Sequence, residues 1–307
     1  MGIAVIFPGQ GAQAPALGAP WVDSPAWELV ARAEKACDEP LEHLLLAAPA
    51  EDLARTREAQ LVVFLASMLA WETARDSLEA EGIVAFAGHS LGQITALVAA
   101  GALPFEDGVR LAARRARATQ DAADARPGRL AALLGATLEQ AEDACTAAPD
   151  GCWVANENAP GQVVIGGTPE GLEAGTARAR EIGIRKVIAL NVGGAFHTPL
   201  MAAAVDALYP DLTSAPFVDT ARPVLSNPDA GAYTDAAGWP SRLADQLVLP
   251  VRWAATMTTL TDLGATTFVE VGPGTTLTGL AKRAVPAVSL RNLATPADIS
   301  DNPREVS

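Results

Sequence analysis

Short apolar runs alternate with longer stretches rich in Ala, Leu, Arg and Glu along most of the 307 residues, and this alternation restricts the fold more than any other property of the chain. A repeat of this kind predicts strands separated by helices, and hence a mostly parallel sheet. The first run, residues 3–7, is stopped by Pro8 and Gly9. Helices are expected over 25–36 and 60–80, a strand over 83–87, a helix from Ser90 to Ala100 with Gly101 as its stop, and a helix over 105–121.

From about Pro127 to Val192 the texture changes. Residues 129–134, 138–147, 153–155, 162–165, 170–182 and 186–190 read as strand, helix, strand, strand or turn, helix, strand. That order is the split βαβ signature of a small ferredoxin-like unit. Pro127-Gly128 and Gly193-Gly194 are suitable hinges, so residues 127–193 are expected to form a small domain inserted into a larger one made of 1–126 and 194–307. In the second half of the larger domain a helix is expected near 200–209, an apolar run at 224–226, a helix over 252–262 and a strand over 267–271. The polar tail beyond Ala294 is expected to be loosely held.

The formal charge of -14 opposes binding to phosphate backbones and anionic lipid, so nucleic-acid and membrane partners are disfavoured. An anionic substrate would need a local cluster of Arg or Lys. Three cysteines, Cys37, Cys145 and Cys152, have neither the number nor the spacing of a disulfide framework or a zinc site, and no metal is expected. The apolar stretch 61–71 is too short to span a bilayer, and the first residues lack the basic start of a signal peptide. A cytoplasmic location is therefore expected.

Gly88-His89-Ser90-Leu91-Gly92 fits G-x-S-x-G and lies between a β-type run and an apolar helical stretch, the setting in which that pattern presents a nucleophilic serine. The larger domain is accordingly expected to be α/β-hydrolase-like with a parallel sheet. Ser90 requires a base, and the chain has three histidines, His43, His89 and His197. His89 adjoins Ser90, where neighbouring side chains diverge, and is expected to hold the turn by hydrogen bonding. His43 has a helical, core-edge setting and reads as a packed residue. His197, in the glycine-rich turn Gly193-Gly194-Ala195-Phe196-His197 after a strand, is the best placed of the three.

Five segments together resemble the malonyl-CoA:acyl carrier protein transacylases of fatty-acid and polyketide synthesis over nearly the whole chain. They are Phe7-Pro8-Gly9-Gln10-Gly11-Ala12-Gln13, Gly88-His89-Ser90-Leu91-Gly92-Gln93, Asn156-Glu157-Asn158-Ala159-Pro160-Gly161-Gln162, Gly194-Ala195-Phe196-His197-Thr198-Pro199-Leu200-Met201 and Glu270-Val271-Gly272-Pro273-Gly274. The resemblance implies Ser90 and His197 as the catalytic pair, with the backbone amides of Gln10 and Leu91 as the oxyanion hole. It implies that Arg115 binds the free carboxylate of a malonyl group, with Arg114 and Arg117 as alternatives in the same helix. It implies further that Gln60, Asn158 and Phe196 contact substrate, Phe196 against α-branched groups, and that the main-chain carbonyl of Gln246 orients the imidazole.

Two positions depart from the common pattern: Gln93 stands where many members have glutamate, and Gln60 is not followed by proline. The implied reaction is a ping-pong transfer from malonyl-CoA to acyl carrier protein through a Ser90 ester, by a monomer with no cofactor beyond the coenzyme A thioester. Arg185, Lys186, Lys282 and Arg283 are candidates for a basic rim facing an acidic carrier. Two other readings are an acyl hydrolase acting on carrier-bound thioesters and a catalytically silent docking subunit of a synthase complex.

Overall fold

Along the first strand Ile3, Val5 and Phe7 join one apolar cluster while Ala4 and Ile6 join another on the opposite face. A strand buried on both sides belongs to the middle of a sheet covered by helices on each face. The computed structural model describes residues 2–300. Its strands are β1 (Gly2–Phe7), β2 (Ile83–Gly88), β3 (Arg129–Leu134), β4 (Cys152–Ala159), β5 (Gln162–Gly167), β6 (Lys186–Ala189), β7 (Val224–Leu225), β8 (Ala232–Tyr233), β9 (Val251–Arg252), β10 (Ala265–Val271) and β11 (Ser289–Leu293).

The larger sheet has the order β11-β10-β1-β2-β7-β8 and is parallel apart from the β7–β8 pair. Helices Glu28–Cys37, Thr56–Glu81, Gly92–Ala99, Phe105–Ala125, Ala202–Ser214 and Trp239–Val248 supply the cluster on one face; Trp253–Asp262 and Thr276–Ala284 cover the other. Register decides where the site lies. Phe7 pairs with Gly88 and Ile6 with Glu270, so β1, β2 and β10 end side by side and their following loops meet. Parallel sheets bind ligands beyond such carboxyl ends.

The smaller sheet runs β6-β3-β5-β4-β9, with β3 antiparallel to β5 and β6, and β4 antiparallel to β5. Helices Leu138–Cys145 and Pro169–Glu181 pack on it through Ala141, Ala144, Leu172 and Ala179 against Leu133, Val163 and Ile165. The order of its first four strands is the ferredoxin-like arrangement the pattern predicts. Its fifth strand, β9, comes from outside residues 127–193 and pairs in parallel with β4 at Asn156 and Glu157.

The strand β4 extends to Ala159, beyond the predicted 153–155. Asn156, Glu157 and Asn158 broke the apolar pattern although their backbone continues the ladder. The strand β11 was missed for the same reason, its Ser-Leu-Arg-Asn-Leu sequence being mostly polar. The expectation of a loose tail fails over Pro296–Ser300, which is helical. Asp298 caps it by accepting the N–H groups of Ala294 and Thr295, at 3.1 and 2.8 Å, and Ile299 packs on the main core. The rest of the tail, 301–307, lies outside the described residues. No helix is long and apolar enough to cross a membrane among the described residues.

Candidate active site

The turn from β2 into the helix Gly92–Ala99 is too tight for side chains on its flanks. A Cβ on Gly88 would stand 1.9 Å from the Gly92 carbonyl oxygen, and one on Gly92 would stand 2.3 Å from that of Phe7. Ser90, between them, has φ +53°. That left-handed conformation costs an L-residue roughly 1–2 kcal/mol and persists only where the surroundings hold it. It aims Oγ at Nε2 of His197, 2.8 Å away.

His197 also has positive φ, +60°, and follows β6 in the glycine-rich turn. Its Nδ1 lies 2.7 Å from the main-chain oxygen of Gln246. A carbonyl can only accept, so Nδ1 carries the proton and Nε2 is left as the acceptor for the serine O–H. The tautomer required of a general base is thus set without a carboxylate. His197 is 4% exposed, and its pKa is lowered to about 3. Burial is the main cause and the Arg115 charge the second; the bond to the Gln246 carbonyl opposes them.

His89 does not hold the turn as expected. Its Nε2–H donates to Oδ1 of Asn158 on β4 at 2.9 Å, and its ring packs edge-on to Trp253. The left-handed serine beside it turns the two side chains apart, and His89 ties the larger sheet to the smaller one. Burial lowers its pKa, keeping it neutral. His43 is exposed on the short helix Glu42–Leu46, not packed.

Arg115 is 5% exposed on the helix Phe105–Ala125. Its Nη1 donates to Oε1 of Gln60, and its Nη2 lies 3.0 Å from Ser90 Oγ and 3.3 Å from Oε1 of Gln246. Every one of these partners is neutral, and Nε has none among the described residues. Burial pushes the guanidinium pKa down to about 10. A buried cation without a counter-ion is costly, and an incoming carboxylate would relieve that cost. The alternatives point elsewhere: Arg114 faces Asp211 at 3.8 Å and Arg117 faces Glu39 at 3.5 Å, both on the surface. Gln60 fixes Arg115 and is itself held by donating to Thr119 Oγ1 at 3.0 Å.

A cleft of about 400 Å³ opens over these groups, between the two sheets. Gln10, Ser90, Arg115 and Phe196 line it from one side, and Leu130, Asn158 and Val164 from the other. Leu91 sits at the start of the helix Gly92–Ala99, and neither its amide nor that of Gln10 finds a protein acceptor among the described residues. Asn158 reaches the cleft wall with its amide oxygen already engaged by His89. The sequence reading missed Asn227, whose Oδ1 accepts the Ser90 amide at 2.8 Å; an isolated Asn before Pro228 carries no spacing signal. No group of three or more His, Cys, Asp or Glu that could hold a metal occurs among the described residues.

A hydroxyl bonded to a neutral imidazole at the carboxyl edge of a parallel sheet is the arrangement of serine acyl transfer on an α/β scaffold. Residues 5–297 match the acyl transferase domain, and the chain belongs to that family. The malonyl CoA-acyl carrier protein transacylase of Bacillus subtilis is 37% identical over 288 residues, which cover 92% of this chain and 90% of that one. The transacylase of the same name from Escherichia coli is 34% identical over 298 residues, 96% of each chain. Among solved structures, the malonyl-CoA:acyl carrier protein transacylase of Xanthomonas oryzae superposes with a TM-score of 0.91 at 35% identity, over 97% of this chain and 96% of that one. A malonyl-transacylase in complex with its holo type II polyketide acyl-carrier protein superposes with a TM-score of 0.92 at 31% identity, over 98% of each chain.

Proposed function

We propose that this protein transfers a malonyl group from malonyl-CoA to the phosphopantetheine thiol of an acyl carrier protein. In the first half-reaction His197 Nε2 takes the Ser90 proton as Oγ bonds to the thioester carbon, and the amides of Gln10 and Leu91 hold the oxyanion. The tetrahedral intermediate collapses, the C–S bond breaks, and the imidazolium returns its proton to the leaving thiolate of coenzyme A. In the second half-reaction the carrier's thiol gives its proton to His197 and attacks the ester, and the same steps in reverse free Ser90.

The observation that carries this reading is the buried Arg115, 3.0 Å from Ser90 Oγ and without an acidic partner among the described residues. A guanidinium so placed suits an acyl group that bears its own carboxylate. A hydrolase of uncharged acyl chains has no use for that cation, and a silent docking subunit has no use for the Ser90–His197 bond. A similar malonyl-transacylase, solved in complex with its holo acyl-carrier protein, supports the same acceptor.

No cofactor takes part, and the protein acts in the cytoplasm as a monomer, with 127–193 as its inserted domain. Arg185, Lys186, Lys282 and Arg283 form the basic rim for the carrier. Intact-mass measurement after mixing with malonyl-, methylmalonyl- or acetyl-CoA tests the reading. The natural protein gains a malonyl adduct in preference to the others and Ser90→Ala gains none; equal labelling by all three donors refutes the selectivity.

A further inference from the structure

We infer that Asn227 is a positioning residue that fixes the strained Ser90 turn for acyl transfer and ties it, through Gln246, to the base. The inference rests on the reading of Ser90 as the nucleophile. The strand β7 pairs with β2 only at Val224 and Phe86, and the chain beyond it runs on beside the turn. There Asn227, fully buried, grips the backbone on both sides of His89. Its Oδ1 accepts the Ser90 N–H at 2.8 Å and its Nδ2 donates to the Gly88 carbonyl at 2.8 Å. One planar amide thereby supplies the donor and acceptor that a neighbouring strand would have supplied.

Two glutamines hold Asn227, Gln93 at its backbone N–H and Gln246 at its side-chain oxygen. The Asn227 N–H donates to Oε1 of Gln93 at 2.9 Å. The side-chain nitrogen of Gln246 lies 2.7 Å from the Ser90 carbonyl oxygen, 3.0 Å from Gln93 Oε1 and 3.0 Å from Asn227 Oδ1. Gln93 keeps its oxygen toward both donors at the expense of its own amide nitrogen, which is buried without a partner among the described residues. The acceptor is therefore what fixes its orientation.

Gln246 is the hinge of the arrangement: its side chain holds the Ser90 turn while its carbonyl, 2.7 Å from His197 Nδ1, holds the base. Asn227, Gln93 and Gln246 are not among the residues that line the cleft. Its role is to keep Ser90 at φ +53° with Oγ in line with Nε2. An acyl-transfer geometry is sensitive to displacements below an ångström, so loosening the turn should slow chemistry more than it weakens binding.

The test compares Asn227→Ala and Asn227→Asp with the natural protein by rapid-quench intact mass, following malonyl transfer onto the protein across a range of malonyl-CoA concentrations. Circular dichroism and thermal midpoints establish that the variants are folded. Asn227→Ala is expected to lose about a hundredfold in the saturated acylation rate, with half-saturation within about threefold of natural. Asn227→Asp keeps the acceptor and loses the donor to Gly88, so its rate falls between the two. If Asn227→Ala does not fold, Asn227→Asp decides alone. A folded variant that acylates at the natural rate, or one whose loss lies wholly in half-saturation, overturns the inference. Ser90→Ala in parallel separates the two ideas: label persisting there sinks the nucleophile reading, whereas normal acylation in folded Asn227 variants sinks only the inference.

Discussion

Arg115 Nη2 and Ser90 Oγ stand 3.0 Å apart, so a buried arginine of the cleft touches the hydroxyl that the imidazole of His197 also engages. A serine held between a cation and a base is suited to an acyl group charged at its far end. The acyl carbon would bond to one partner of this contact and the free carboxylate would pair with the other.

Replacing Arg115 should therefore change selectivity and not only rate. Arg115→Ala removes a desolvated charge partner worth about 3–5 kcal/mol, so kcat/KM for malonyl-CoA should fall by about two to four orders of magnitude. Acetyl-CoA, which offers no carboxylate, should lose far less and gain in relative terms. Parallel steady-state assays with both donors check this, and equal losses for the two would contradict the assigned role.

The depressed His197 pKa has separate consequences for rate and for stability. Folded, the ring titrates near 3 against 6.5 when unperturbed, so the unfolded chain takes up the proton first as pH falls. The stability of the buried neutral ring is fully present above pH 6.5 and is lost progressively from there toward pH 3. Thermal midpoints should drop over that window, less steeply in His197→Gln, with buried His89 contributing in the same direction. The acylation rate should show no histidine limb between about pH 8 and 5, because the base stays unprotonated there.

Phe196 borders the cleft beside Arg115 and His197. Phe196→Val should make room for an α-methyl group and raise the methylmalonyl-to-malonyl ratio of kcat/KM about tenfold, the usual worth of a methyl-sized space. Competition between the two donors, resolved by the mass of the Ser90 adduct, measures the ratio directly.

Gly88→Ala places a Cβ 1.9 Å from the backbone oxygen of Gly92, where no side-chain rotation can relieve the clash. It should cost about 3 kcal/mol or more of folding stability and also displace Ser90. Gly279→Ala, with open space around its Cβ on the helix Thr276–Ala284, is the control expected to fold normally. Urea unfolding of the two variants gives the comparison.

The sequence by itself singled out Ser90 and His197, which the fold brings to 2.8 Å, and the alternation of strands and helices, because each rests on local chemistry. Glycines on either side of Ser90 mark a tight turn, three histidines allow elimination, and apolar periodicity marks buried faces. The same periodicity failed at β4 and β11, where polar residues occupy strands whose pairing is set by backbone alone. Tertiary structure decided what depends on distance across the fold. It separated Arg115 from Arg114 and Arg117, which share one helix and differ only in the face they occupy. It brought Asn227 to the amide of a serine 137 positions earlier. Contacts between such distant residues leave no spacing in the chain, since they arise only when the strands are in register and their loops meet at one edge.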